Sequence, residues 1–235
     1  MLAGVSVDYY ARMEQGRERN PSAAVLNALG RALRLDADQR AHAFRLAGLA
    51  PEEAHAPVEA ADPALLDLMA EWDSTPALVV DRCLGVLGRN ALAQALYAGF
   101  TTSDNLVRMV FLDPHGRRFF ADWERAAASC VAQLRLALPH PDAAAGLRLL
   151  VAEASENDDF RRLWADNDAR GKLPESKSFH HPEVGALRLD VHAFDVRGAS
   201  GQQLIVYRAP AGSPSAERLA LLGSLHARAR REARR

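Results

Sequence analysis

The sequence predicts an α+β chain, in which a small all-helical N-terminal unit precedes a larger antiparallel sheet domain with flanking helices. Three observations predict it. Up to about Leu49, apolar residues recur at three- and four-residue spacing, the period of helices with one buried face. From Gly48 to Pro63 the composition turns to Ala, Pro and Glu, as in a linker. Beyond Pro63, short apolar runs with strand character come in two groups separated by helical periodicity, which suits helices packed on an antiparallel sheet. The expected boundaries are 1–49 for the helical unit, 50–62 for the linker, 63–227 for the sheet domain and 228–235 for a basic tail.

In the helical unit, Gly4 supplies a tight turn and Ser6 is a good N-cap, so a helix should start at Val7. Tyr10 and Met13 repeat at helical spacing and should face inward, leaving Val7, Asp8, Ala11 and Arg12 outward, and Gly16 closes the helix. A small turn followed by a helix with a polar outer face reads as the second half of a helix-turn-helix, whose second helix lies in a DNA major groove. Only three residues precede Gly4, so the unit is expected to be an N-terminally truncated remnant. Ser22 can cap a helix through Val25, Leu26, Leu29, Ala32 and Leu33. Asp36 or Asp38 starts another from Gln39 to Leu46, with Ala43, Phe44 and Leu46 available for packing.

In the second domain, Pro63 to Trp72 reads as helical, and the runs 77–81 and 84–88 as two strands of a hairpin. Short helices are expected at Asn90 to Tyr97 and Asn105 to Phe111. One longer helix should open at Asp113-Pro114 and carry Phe119, Trp123, Ala127, Val131 and Leu134 inward. Helices at about Asp142 to Ser155 and Asp158 to Asn167 follow. Strands are expected at Lys177 to His180, Gly185 to Val196 and Gln202 to Arg208, with Gly198 and Gly201 turning between the last two. In the middle strand the larger apolar residues Leu187, Leu189, Val191 and Phe194 alternate toward the core, with slippage near the end. Ser213-Pro214-Ser215 opens a final helix with Leu219, Leu222 and Leu225. Strands, then helices, then strands with a closing helix is the layout of a PAS-like sensory module.

Bulk properties narrow the function. The formal net charge of −1 gives no chain-wide basic field, so any contact with nucleic acid depends on local charge placement. The two cysteines, Cys83 and Cys130, are far apart and belong to no metal motif, which suits a reduced cytoplasmic protein. No run approaches the ~18 apolar residues of a membrane span, and no signal peptide is expected. His180 and His181, as neighbours in a strand, point to opposite faces and are poorly placed to share a metal with each other or with His192. Glu153, Glu156 and Asp122 lack an accompanying nucleophile, phosphate loop or HExxH, and Ser6, Ser103 and Ser178 lack an elbow motif. The expectation is a non-enzyme with no catalytic residues, no metal and no cofactor.

Residues 2–10, Glu14-Gln15-Gly16-Arg17 and Pro21-Ser22 resemble the second half of the helix-turn-helix in Cro/C1-type, xenobiotic-response-element regulators. The segments 77–81, 89–93, 105–108, 111–114, 122–124, 160–164, 181–185 and 212–215 resemble the ligand-binding domain of MmyB-like transcription regulators. The resemblance covers nearly the whole chain. It implies a ligand-responsive regulator with a PAS-like sensor for a small apolar, fatty-acyl-like molecule. By the same resemblance Val7, Asp8 and Arg12 reach base edges of double-stranded DNA, while Ser6, Gln15, Arg17 and Arg19 touch phosphates. Arg12 suits guanine and Asp8 suits cytosine. On the sensor side Asn105, Arg108, Phe111, Phe119 and Trp123 are the expected ligand-binding residues, with the Arg108 guanidinium suited to a carboxylate head group; the aromatics equally suit plain core, and Arg108 an ordinary surface position. A homodimer without membrane attachment is expected. The missing first helices would weaken DNA binding, which leaves a stand-alone small-molecule binding module as the alternative. The basic tail is expected to be disordered or, alternatively, to touch DNA phosphates.

Overall fold

Three helix ends of one design define the N-terminal unit. A computed structural model describes residues 7–18, 21–49, 60–166 and 175–232, which fall into two units, Met1–His55 and Ala56–Arg235. In the first, α1 spans Val7–Glu14, α2 Ala23–Ala32 and α3 Ala37–Leu46. After α1, the Gly16 N–H donates to the Met13 carbonyl and the Arg17 N–H to the Arg12 carbonyl, with Gly16 at φ 67°. This paired-bond C-cap satisfies carbonyls that a helix end leaves open. Gly48 closes α3 in the same way, at φ 67°. Arg34 closes α2 at φ 53°, a left-handed conformation that a side chain disfavours.

Asp36 caps α3 through a capping box with Gln39, and Ser22 caps α2 by accepting the Val25 N–H. Leu29, Gly30 and Phe44 are buried where α2 meets α3. Leu46, expected to pack, is instead 76% exposed, because it ends α3 away from the face that buries Phe44. Ser6, the expected cap of α1, and Arg19 lie outside the described residues, as does the side chain of Val7.

The second unit opens with α4 (Pro63–Ala70) and a sheet hairpin, β1 (Ala77–Val80) and β2 (Val86–Arg89). Then come α5 (Ala91–Leu96), α6 (Leu106–Phe111), α7 (Gly116–Phe119), α8 (Trp123–Ala137), α9 (Ala144–Ala154) and α10 (Asp158–Ala165). An antiparallel meander of β3 (Glu175–His181), β4 (Gly185–Asp195) and β5 (Gln203–Arg208) leads to the closing helix α11 (Pro214–Glu232). β5 returns beside β1, giving the antiparallel order β2-β1-β5-β4-β3.

One sheet face carries Leu78, Val80, Leu187, Leu189, Ile205 and Tyr207 into the main core with α5 to α10. On the other, Ala77 and Val79 pack with Met69 of α4 and half-buried Leu66, Leu204 and Val206. Asn90 fastens this arrangement. Its Oδ1 accepts from the Ala77 and Ala93 N–H groups, and its Nδ2 donates to the carbonyls of Met69, Trp72 and Thr75.

Three expectations need correction. The long helix from Asp113 is broken into α7 and α8 because Phe120 is extended and bridges Phe179, the Ala121 N–H donates to the Ser178 carbonyl, and Asp122 recaps the chain at Arg125. Its inward residues are nevertheless buried as expected, Phe119 at 1% and Leu134 at 0% exposure. Phe194 sits two residues from His192 on the outer face and is 55% exposed, since strict alternation puts it opposite to Leu187 and Leu189. The tail is helical as far as Glu232, where α11 ends, with Arg228 donating to Glu232 one turn on.

Candidate functional sites

The outer stripe of α1 is Asp8 and Arg12, continued by Gln15 just past its end, all exposed and spaced by four and three residues, so one face carries an acceptor, a guanidinium and an amide. Tyr10 and Met13 are half-buried on the other side, and Tyr9 and Ala11, the latter expected outward, are half-buried at the flanks of the stripe. Tyr10 hydrogen-bonds Glu14 one turn on, and that carboxylate raises the phenol pKa. Arg17 is exposed just past Gly16, in the turn that ends the helix. The left-handed Gly16 therefore sets where Arg17 leaves the helix axis, which is how a loop cation can follow a reading helix.

The sheet domain holds a cleft of about 390 Å³ at the end where the β1–β2 and β4–β5 turns meet α6 and α9. The β1–β2 turn is built around Asp81, whose Oδ1 accepts the N–H groups of Cys83 at 2.7 Å and Gly85 at 2.8 Å. Leu84 takes φ 62° there, held by its buried side chain. Gly85 is required by close approach, since a Cβ would stand 2.6 Å from Asp81 Oδ2. That second oxygen has no hydrogen-bond partner among the described residues, and burial pushes the Asp81 carboxyl above its ordinary pKa.

Arg82 binds the β4–β5 turn to the segment leading into α9. Its Nε donates to Asp142 at 3.1 Å, one terminal nitrogen donates to the Ser200 hydroxyl at 2.8 Å, and the other lies 3.4 Å from His140 Nε2. Gly201 at φ 83° passes so close that a Cβ would lie 2.5 Å from Arg82 Nε. Beside it Gln202 lines the cleft, and its amide nitrogen donates to the Ala60 carbonyl. Cys83 is half-buried, and burial with the negative charges of Asp81 and Asp142 pushes its thiol up to about 11.

Asn105 and Arg108 both line this cleft. Asn105 caps α6 by accepting from Val107 and Arg108 and donates to the Cys83 carbonyl, so it stitches the helix to the turn. The Arg108 guanidinium is engaged by Glu153 at 2.9 Å and Asp104 at 2.6 Å. Ala143, Gly146, Leu149 and Leu150 add apolar lining from α9 and the residue before it, and Leu149 is 75% exposed.

Phe111, Phe119 and Trp123 are elsewhere, in the interior aromatic cluster. Phe111 meets Phe160 and Trp123 edge to face, the Trp123 indole donates to the Val110 carbonyl, and Phe119 packs among Phe100, Phe120 and Phe179. The structure thus brings Asn105 and Arg108 together and separates them from the three aromatic residues.

Residues 61–222 match the family model of the MmyB-like transcription regulator ligand binding domain, more than half of the chain. The chain belongs to the MmyB-like transcription regulator family. Residues 1–43 of this regulator match a helix-turn-helix domain family, and α1 with its Asp8–Arg12–Gln15 stripe lies inside that match. No curated protein matches the chain. Both matched families are regulator domains and point to a non-enzymatic role in DNA-binding, ligand-responsive transcription control. Among the described residues no helix is long and apolar enough to cross a membrane.

Sequence reasoning missed most of the cleft: Asp81, Arg82, Asp142, Leu149 and the 200–202 turn. The signal that could have found them is the pair of turns rich in Gly and Asp at one sheet end, where Gly85 and Gly201 are each placed against a charged side chain.

Proposed function

We propose that this MmyB-like regulator reads operator DNA with α1 and senses, in the 390 Å³ cleft, a small molecule with a substantial apolar, fatty-acyl-like part. The observation that carries the sensor half is that cleft. It lies within the family's ligand-binding region, its volume falls in the ~300–1,000 Å³ range of small-molecule sites, and its lining combines charged and polar side chains with apolar ones. The PAS-like reading is supported by the order β2-β1-β5-β4-β3 and by the helices inserted between β2 and β3.

Asp8 and Arg12 are the proposed base readers, since a carboxylate accepts from cytosine and a guanidinium pairs with guanine, each for about 1–3 kcal/mol of discrimination. Gln15 and Arg17 are proposed to touch phosphates and fix the register. Gln202 offers a route for the signal. A ligand touching it would bias its bond to Ala60, near the start of the sensor unit. Occupancy can change DNA affinity only if the two states hold the reading helices differently, and in a homodimer half-site spacing makes affinity sensitive to that difference. This role implies a cytoplasmic protein.

Fluorescence anisotropy against genomic fragments tests the DNA half, and native mass spectrometry of the purified protein tests the sensor half. Specific binding to some fragments and a co-purifying aliphatic molecule are expected. Salt-sensitive binding to every fragment alike would leave a small-molecule binding module without operator recognition. Absence of any bound molecule, with no thermal shift from aliphatic compounds, would defeat the sensor reading.

A further inference from the structure

We infer that α11 is a dimerisation helix, whose outer face pairs antiparallel with the same face of a second copy of this chain about a two-fold axis near residue 223. The inner face of α11 is held by its own domain. Leu219 and Leu222 are buried in the main core, the Arg218 guanidinium donates to the Ala186 carbonyl, and His226 Nε2 lies 3.4 Å from Glu183 Oε1. Leu225 continues the three-residue series of Leu219 and Leu222 but does not join them inside. Each three-residue step falls about 60° short of a full helical turn, so the series drifts off the core face. Leu225 is 41% exposed, and Leu221, one turn earlier, is 51% exposed. Glu217, Leu221, Ser224, Leu225 and Arg228 share the outward face, and all are exposed.

The order of charge along this face commits it to a second copy. It reads acid, leucine, leucine, base, and an antiparallel copy presents base, leucine, leucine, acid. Glu217 stands six residues before position 223 and Arg228 five after it. At about 1.5 Å per residue, each acid therefore comes within about 2 Å of level with the base of the other copy. Leu221 and Leu225 lie two residues to either side, so each leucine meets its counterpart. Parallel pairing would instead oppose acid to acid and base to base. Covering the face orphans no hydroxyl, because Ser224 Oγ already donates to the Ala220 carbonyl at 2.9 Å. Arg228 uses only Nε for Glu232, so its terminal nitrogens can take a second carboxylate. Two leucines from each side make a small contact, so the dimer should be concentration-dependent.

Sedimentation equilibrium of the full chain, with neither DNA nor ligand present, tests this separately from operator reading and from sensing. The wild-type chain should form a dimer whose population rises with concentration. Glu217→Arg and Arg228→Glu each bring like charges together at both ends of the pair and should weaken association at least about tenfold. Glu217→Arg combined with Arg228→Glu restores opposite charges and should recover most of the loss. Leu221→Gln, at an exposed position, should weaken association without changing the circular dichroism spectrum. A wild-type chain that stays monomeric throughout its soluble range overturns the inference. A dimer that none of these substitutions weakens has its contact elsewhere and overturns it as well. Loss in both single charge variants without recovery in the double variant overturns the antiparallel pairing.

Discussion

Replacing Asn90 by alanine should be among the most damaging single changes in the sensor domain. Asn90 is 4% exposed and serves three elements at once, capping α5 at Ala93, holding the first β1 N–H at Ala77, and anchoring carbonyls in the last turn of α4 and just after it. Loss of an N-cap costs about 1 kcal/mol. The Ala77 N–H, on a residue with no exposed surface, would be orphaned at a cost of about 1–3 kcal/mol. Together these give roughly 3 kcal/mol, a large part of the ~5–15 kcal/mol that holds a domain folded. Urea unfolding followed by tryptophan fluorescence reports this domain alone, because Trp72, Trp123 and Trp164 all belong to it. With a slope of roughly 2 kcal/mol per molar urea, the midpoint should fall by about 1.5 M. A fall of less than about 0.5 M would show that α4 and β1 do not depend on this side chain, and the reasoning would be wrong.

Arg34→Gly should stabilise the N-terminal unit by about 1 kcal/mol in a thermal melt followed by circular dichroism, because the wild-type residue closes α2 at φ 53°. A destabilised variant would contradict the reading of that helix end. Gly201→Ala and Gly198→Ala both place a side chain at φ 83°, but only the first meets Arg82. Gly198→Ala should cost about 1 kcal/mol and Gly201→Ala clearly more; equal losses would mean that the Arg82 clamp contributes nothing. The Cys83 thiol, held near 11 by burial and two acids, should react with a disulfide reagent at pH 8 on the order of 100-fold more slowly than an ordinary thiol. Its reaction should accelerate as pH rises toward 11, and an ordinary rate at pH 8 would refute that environment.

Local chemistry made much of the fold legible. Gly16, Ser22 and Asp36 punctuate the N-terminal helices as their backbone preferences dictate, and Asn90, Asn105 and Asn157 each cap a helix that begins one residue later. The break between α7 and α8 was not legible, because the bridge from Phe120 to Phe179 joins residues far apart in the chain, while the intervening pattern is helical on both sides. Little of the cleft was legible. Asn105 and Arg108 could be picked out on one short helix, but Asp81, Asp142 and Gln202 meet only after the sheet closes β5 onto β1. Arg108 illustrates the limit of residue type as a guide: a guanidinium in sequence says nothing of Glu153 and Asp104, which already engage it.

The central claim is that α1 reads base sequence. Selection of duplexes from a random pool by the full chain and by Arg12→Ala, with sequencing of the bound fraction, tests it most directly. The account predicts an enriched motif for the wild-type chain, and loss or relaxation of at least one position of it, by about 1–3 kcal/mol, in the variant. No enrichment, or the same motif from both proteins, would contradict it.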